Sequence, residues 1–418
     1  MKLCLPDATN ALPKVANALL AAFLFVLPFS SSVAARNVFL GLAILCLLFA
    51  AATDSSRPGD RLPPLRVLLP IACWSLWCVA SVAWSLEPAY SASELRPGLL
   101  YPALAFLVFF AATTEVADID RWAWSLSAGL ALLGLAAVVP KLATGDWDPS
   151  RWHGGIGAYS AHMVLAMPLL AWTFLRAQRG VAAVRVFVAA TATVTFAALY
   201  WTDNRITWIA LALMMVGGTL VLVRIPGGLR YRRLPFVVAG AVATAFFVFF
   251  VMAVQQRSPS QQENPVDAAR ELGEDPRIGL WRYALVRIAD APWVGHGYGK
   301  RILREPFRAA VKPHNPLNLH AHNLLLNVAL QTGLVGLAFF VWMIGALVWE
   351  MVAGLGAGPP RNLVAALGLV LGAGFAVRNM TDDFLVRQNA LLACSLAGAI
   401  LGALRRDTSQ FPPETERL

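Results

Sequence analysis

The stretch HNLLLNVALQTGLVGLAFFVWMIGALVWE, from His322 to Glu350, decides the fold. Between its two ends it contains no Asp, Glu, Lys or Arg. A helix rises about 1.5 Å per residue, so roughly 20 apolar residues cross a hydrocarbon core of about 30 Å, and this run is longer than that. Inside lipid every backbone N–H and C=O must be satisfied within the segment, which makes an α-helix the form such a run takes. Similar runs recur on both sides of it. They place spans at 14–33, 37–53, 67–84, 98–113, 122–142, 159–176, 186–201, 205–223, 236–254, 322–350, 363–379 and 389–404.

The composition agrees with this reading. Hydrophobic residues make up 58% of the 418 and charged residues 14%, against about 25% charged in an average soluble domain. The expected fold is an all-α polytopic membrane protein of about twelve transmembrane helices. Residues 1–254 carry helices one to nine, 255–320 form a helical loop on the outer face, 321–404 carry helices ten to twelve, and 405–418 are a cytoplasmic tail. The apolar run after Lys14 is long for a signal peptide and a second span follows almost at once, so the first helix is expected to stay uncleaved.

Charge sets the orientation. Arg57, Arg61, Arg66, Arg176, Arg179, Arg185, Arg224, Arg230, Arg232, Arg233, Arg405 and Arg406 fall on one set of connections. The alternate set carries fewer, so positive residues are retained inside with both termini cytoplasmic. The net charge of +10 is thereby assigned to cytoplasmic loops, and no basic arm with interleaved aromatics suggests a nucleic-acid partner. The five cysteines are scattered without a CxxC pair. They read as packing residues rather than metal ligands.

Polar residues gather at the outer face. With a helix beginning near His322, Asn323, Asn327 and Gln331 fall at i, i+4 and i+8 on one side, a polar stripe that must meet protein or a wet cavity rather than lipid. Gly333 and Gly336 form a small face suited to close helix approach. Upstream, DPRIGLWRYALVRIADAPW places Trp281, Ala284, Leu285 and Ile288 at helical spacing opposite Arg282. The alternating glycines of VGHGYGK allow close backbone approach or positive φ.

Two histidines, His320 and His322, stand at the mouth of the decisive helix. A lone histidine there is ordinarily an interfacial residue; this pair shares its compartment with Arg151, Arg205, Arg277 and Arg282. Guanidinium groups stay charged and bind phosphate oxygens bidentately, so the set suits a phosphate-bearing ligand, with structural ion pairs or lipid headgroup contacts as the alternative. Asp203 or Asn204 is placed to cap the helix that Arg205 begins. Zinc is an option for His296, His314, His320 and His322, although the spacing matches no standard site and no metal is expected. There is no DxD or DDxxD motif and no run of intramembrane carboxylates. A metal-bound nucleotide sugar and an acidic proton relay therefore lack a home. The one acidic pair, Asp382 and Asp383, is either a helix cap or a partner for His322 or an arginine.

These residues together resemble the O-antigen ligase family, whose signature region is shared with O-antigen polymerases and some bacterial protein O-oligosaccharyltransferases. The resemblance rests on His322 and Asn323 followed after nine residues by Gly333 and then Gly336, on RIGLWRYALVRIADAPWVGHGYG upstream, and on Arg205 in NRITW. RWHGGIGAYSAHMVLAMPLL is similar to the family's pattern before the sixth helix. Ile206 stands where the family usually has glycine, and AYSAH replaces its asparagine-rich turn.

The resemblance implies a GT-C-like glycosyltransferase of the bacterial inner membrane, multi-pass, with a periplasmic active site and neither cofactor nor metal. Its donor would be undecaprenyl-pyrophosphate-linked O-antigen and its acceptor lipid A-core. Arg205 and Arg277, with Arg282 and Arg151, would hold the pyrophosphate, and His322 would handle the acceptor proton. His320, Asn323 and Asp382 would complete the substrate-binding set. An O-antigen polymerase, a protein O-oligosaccharyltransferase and, from another class, a lipid-linked glycan transporter are the competing expectations. A transporter favours internal repeats and broken helices, and the sequence displays neither clearly.

Overall fold

The computed structural model describes residues 6–53, 62–148, 150–177, 182–202, 204–224, 276–310 and 319–405. No strand occurs among them. The helices are α1 (Pro6–Val26), α2 (Val33–Thr53), α3 (Leu65–Ala80), α4 (Pro88–Leu95), α5 (Tyr101–Ala112), α6 (Val116–Thr144), α7 (Ser150–His153), α8 (Ile156–Ala177), α9 (Ala182–Tyr200), α10 (Arg205–Arg224), α11 (Pro276–Asp290), α12 (Arg304–Ala310), α13 (Leu324–Gly354), α14 (Arg361–Asn379) and α15 (Arg387–Leu404). Among the described residues, 10 helical segments are long and apolar enough to cross a membrane, and Ala11–Val26 within α1 is a shorter apolar helix. The chain is an all-α polytopic membrane protein. The ninth expected span, 236–254, lies outside the described residues.

Boundaries shifted where local chemistry overrode hydropathy. The first helix ends at Val26 rather than near 33, because Ser32 Oγ donates back to Val26 O at 2.7 Å and Phe29 O at 2.6 Å, holding Ser30–Ser32 as a 3₁₀ turn. The fourth span begins at Pro88, ten residues early, since α4 runs through a π-helical turn at Arg96–Leu100 into α5. Pro97 has no N–H to give to the ladder, and a π turn absorbs that loss.

The bundle core is one large apolar cluster from α1, α5, α6, α8, α10, α14 and α15, with Trp122, Phe23 and Phe109 fully buried in it. α5 and α15 pack especially closely. A Cβ built on Gly402 would stand 2.7 Å from Phe110 O, and one on Gly398 would collide with Phe106 O. Small residues one turn apart thus let two backbones approach where hydrophobic burial from lipid contributes little.

Alternate connections collect at one end of the bundle. Pro28 O meets His153 Nδ1, Gln388 Nε2 donates to His153 O at 3.0 Å, and Leu86 N donates to His296 O at 3.0 Å. At the other end Arg405 Nη2 donates to Phe110 O and Thr113 O. The polar end is where the candidate site forms.

Candidate functional site

α13 is 31 residues long, about 46 Å at 1.5 Å per residue, well beyond a hydrocarbon core. It is not continuous. Gly333 has φ 67° and ψ −174°, a conformation essentially confined to glycine, and the helix breaks there. The broken turn is satisfied by the loop after α11. His296 N donates to Leu330 O and Gly297 N to Gln331 O, both at 2.9 Å, while Leu334 N donates to Pro292 O at 2.7 Å. The predicted close approach at Gly333 therefore exists, but its partner is this loop's backbone; at Gly336 the neighbour is Trp77 of α3. Gly295, Gly297 and Gly299 all take positive φ, as their spacing suggested. The sequence displays no broken helix clearly, and the structure supplies one at Gly333.

The polar stripe lies on the N-cap and the helical segment before the break. Asn323, Asn327 and Gln331 are all buried. Asn323 caps α13, with Oδ1 accepting from Leu326 N at 3.1 Å, and Nδ2 donating to Met380 O at 3.0 Å. Asn327 Nδ2 donates to Asp383 Oδ2 at 2.6 Å, and Gln331 Oε1 accepts from Gly299 N at 2.8 Å. The stripe meets protein, and it fixes the turn between α14 and α15 on one side and the glycine loop on the other.

His320, His322 and Asp382 come together on that framework. His320 Nε2 is 2.8 Å and His322 Nδ1 3.3 Å from the same oxygen, Asp382 Oδ1, and the two imidazoles lie 4.0 Å apart. His322 sits at φ 48°, a left-handed backbone uncommon outside glycine, and its ring faces the carboxylate. Lys300 Nζ stands 3.8 Å from Asp382 Oδ1 and also donates to Asp383 O. Burial disfavours the Asp382 carboxylate, but the hydrogen bonds from His320 and His322 and the Lys300 charge outweigh it and hold the group well below the usual carboxylate range. Burial pushes His320 down to about 4 against its bond to Asp382, with Lys300 adding to the depression. The stable arrangement is an ionised Asp382 receiving N–H groups. The acidic pair is not a cap for α15, whose N-cap is Val386 without a side-chain bond.

One donor atom from each of these three residues lies within 4.8 Å of the others, so a cation could be held. Asp382 Oδ1, however, already takes the imidazole hydrogen bonds with an ammonium beside it, which suits a hydrogen-bonded triad better than a divalent ion. His296 is not part of the set: its Nε2 pairs with Arg287 O at 2.8 Å. His314 lies outside the described residues.

The arginines divide. Arg205 begins α10 and is exposed beside Asn204, whose Nδ2 donates to Ser160 Oγ at 3.0 Å. Arg277, exposed at the start of α11, is close enough for its charge to act on Arg378 of α14, as Asp382 also does. Arg282 is exposed on α11, and no contact with the histidines or Asp382 ties it to them. Arg151 is in α7, with its side chain outside what is described, and Asp203 is outside as well. α11 buries Leu280 and Ala284 against Phe307, Ala321 and Leu330. Leu285, expected on that face, is instead 57% exposed, because the buried stripe runs through Leu280.

Residues 189–341 match the family model for O-antigen ligase. That segment is similar to the O-antigen ligase family. A comparison with curated proteins finds no match. The O-antigen ligase and polymerase type of family implies glycosyltransferase-like or ligase activity. The matched O-antigen ligase domain contains Arg205, Arg277, Arg282, His320, His322 and Asn323, whereas Arg151, Asp382 and Arg378 lie beyond it. The fold supplies the carboxylate to the domain's histidines from outside. Lys300 and Arg378 escaped the sequence reading. The only signal for Arg378 was a basic residue four positions before Asp382, at the end of an apolar run.

Proposed function

We propose that this protein is an O-antigen ligase, moving O-antigen polysaccharide from undecaprenyl pyrophosphate to a sugar hydroxyl of lipid A-core on the periplasmic face of the inner membrane. The observation that carries the reading is the pair of adjacent histidines sharing one Asp382 oxygen, in a chain whose matched O-antigen ligase segment also contributes Arg205 and Arg277. A carboxylate on Nδ1 of His322 fixes the tautomer that leaves the basic lone pair on Nε2, the same logic by which an aspartate orients a catalytic histidine elsewhere. Nε2 accepts the proton of the acceptor hydroxyl as its oxygen attacks the anomeric carbon. Asp382 stabilises the imidazolium that forms.

The bond broken is between the anomeric carbon and the pyrophosphate oxygen, and the leaving group departs as polyprenyl pyrophosphate. Attack from the opposite side inverts the anomeric configuration. Arg205 and Arg277 bind the pyrophosphate and stabilise the charge that grows on it, a role guanidinium groups fill without a metal. Arg282 and Arg151 extend the basic surface, and His320 and Asn323 hold the acceptor side in place.

The test is a lipopolysaccharide gel from a strain lacking this gene, complemented with wild type or His322→Ala at matched expression. The reading expects core without O-antigen in the deletion, accumulation of lipid-linked polymer, rescue by wild type and none by His322→Ala. Core bearing a single repeat in the deletion would identify a polymerase instead. A normal ladder with His322→Ala would remove the histidine from the mechanism.

A further inference from the structure

Arg378, in the last turn of α14, is 2% exposed. No carboxylate pairs with it directly among the described residues, and its hydrogen-bond partners are neutral. Nη2 donates to Ser160 Oγ at 3.1 Å and Gly157 O at 3.4 Å, and Nη1 reaches Thr381 Oγ1 at 3.5 Å. Its Nε is buried without a partner. A guanidinium held this way is costly, and such residues inside membrane proteins are retained for what they do.

What it does is visible in its two neighbours. Ser160 Oγ accepts from Arg378 Nη2 and from Asn204 Nδ2 at 3.0 Å, and its own O–H donates to Gly157 O at 2.9 Å. One hydroxyl has one proton and two lone pairs, so Ser160 is fully committed and cannot rotate without breaking a bond. Asn204 directly precedes Arg205. On the other side the guanidinium stacks on Phe384, 4.2 Å from its ring centroid. The ring rests on Gly157, where a Cβ would come within 2.7 Å of it, and Phe384 N donates to Asn379 Oδ1 at 2.7 Å. Phe384 closes the turn that carries Asp382 and Asp383.

We infer that Arg378 is a positioning residue for glycan transfer: through Ser160 and Asn204 it fixes the start of α10, where Arg205 stands, and through Phe384 it fixes the turn that carries Asp382. The phosphate-holding and proton-accepting halves of the site are thereby kept at one separation. This rests on the ligase reading above. Reacting groups held in place lose about 100-fold in rate when displaced by about 1 Å, so the effect belongs in turnover rather than in donor affinity.

The experiment uses the full chain in nanodiscs with undecaprenyl-pyrophosphate-linked O-antigen and lipid A-core, and scores turnover per folded molecule. Arg378→Met should lower kcat by about 100-fold and Ser160→Ala by about 10-fold, with the donor KM within about threefold of wild type. The double variant should be no slower than Arg378→Met, since both substitutions cut the same link. Arg378→Lys should stay below about a tenth of wild type, because an ammonium cannot both stack and bridge.

Turnover per folded molecule within about twofold of wild type would overturn the inference, as would penalties that multiply in the double variant. A donor KM raised about tenfold at unchanged kcat would make Arg378 a donor ligand and overturn it as well. Should Arg378→Met not fold, Arg378→Lys and Ser160→Ala decide by the same criteria. Failure of the wild type itself to transfer glycan would sink the ligase reading and this inference with it. Normal variants beside an active wild type would sink the inference alone.

Discussion

Replacing Gly333 with alanine tests whether the broken helix is the frame of the site. At φ 67° and ψ −174° an alanine meets backbone strain of about 1–3 kcal/mol. Its Cβ would also run into the Trp293 carbonyl and the Val294 nitrogen, which are backbone atoms with no rotamer to change. Relieving that clash pushes the loop away, at about 1–3 kcal/mol for overpacking. It also weakens the bonds Leu334 N→Pro292 O at 2.7 Å and Val335 N→Trp293 O at 3.3 Å, each worth about 1 kcal/mol net. With both bonds lost the total is about 4–8 kcal/mol, a large part of a typical stability of about 5–15 kcal/mol. Gly345→Ala is the control, because nothing lies within 4 Å of the Cβ it would add on the same helix. Intrinsic fluorescence of the detergent-purified protein on heating should show Gly333→Ala melting about 5–10 °C or more below wild type. Gly345→Ala should melt at or slightly above wild type. A Gly333→Ala protein that melts with wild type would refute the view that the break is built around a glycine-only conformation.

The remaining predictions concern the site chemistry. Asp382→Asn keeps the shape but loses the charge that faces His320, His322 and Lys300; turnover should fall by about 100-fold or more, and an unchanged rate in the reconstituted assay would take Asp382 out of the mechanism. Arg205→Lys should cost at least about tenfold in kcat/KM for the donor if bidentate phosphate contact is its role, and a silent exchange would leave only its charge. His320 and His153 are both pushed down to about 4 mainly by burial. Their folded pKa values lie below the ordinary 6.5, so the unfolded chain binds more protons between pH 6.5 and 4, and each site withdraws up to about 3 kcal/mol of stability as pH falls through that window. Melting temperatures should drop steadily from pH 7 to 4.5, less so in His320→Asn; a flat profile would contradict the buried neutral histidines.

Much of the fold was legible because lipid leaves a chain few choices. Runs such as Leu324–Gly354 and Arg205–Arg224 announce themselves by length and lack of charge. What hydropathy missed was local hydrogen bonding: the serine turn at Ser30–Ser32, the π turn at Arg96–Leu100, and the break at Gly333, which sits inside an apolar run and changes no average. The site was half legible for the same reason. Asn323, Asn327 and Gln331 could be placed on one face because helical spacing is periodic. Their partners could not, since Met380, Asp383 and Gly299 are brought to them by tertiary packing.

Asp382 shows how far that gap reaches into mechanism. The O-antigen ligase match ends at 341, and from sequence the carboxylate was an acid with several possible partners. In the structure it is the point on which the two histidines converge, presented by a turn that Asn323, Asn327, Lys300 and the Arg378–Phe384 stack hold from four directions. Four restraints on one short turn, with Asp383 and Phe384 buried in it, place the carboxylate, whereas an exposed helix connection would leave the same groups to water. A general base gains more from such restraint than a lipid-lining surface does, because proton transfer depends on tenths of an ångström and passage along a path does not. That difference is the physical ground for preferring an enzyme to a transporter here, despite the broken helix the two would share.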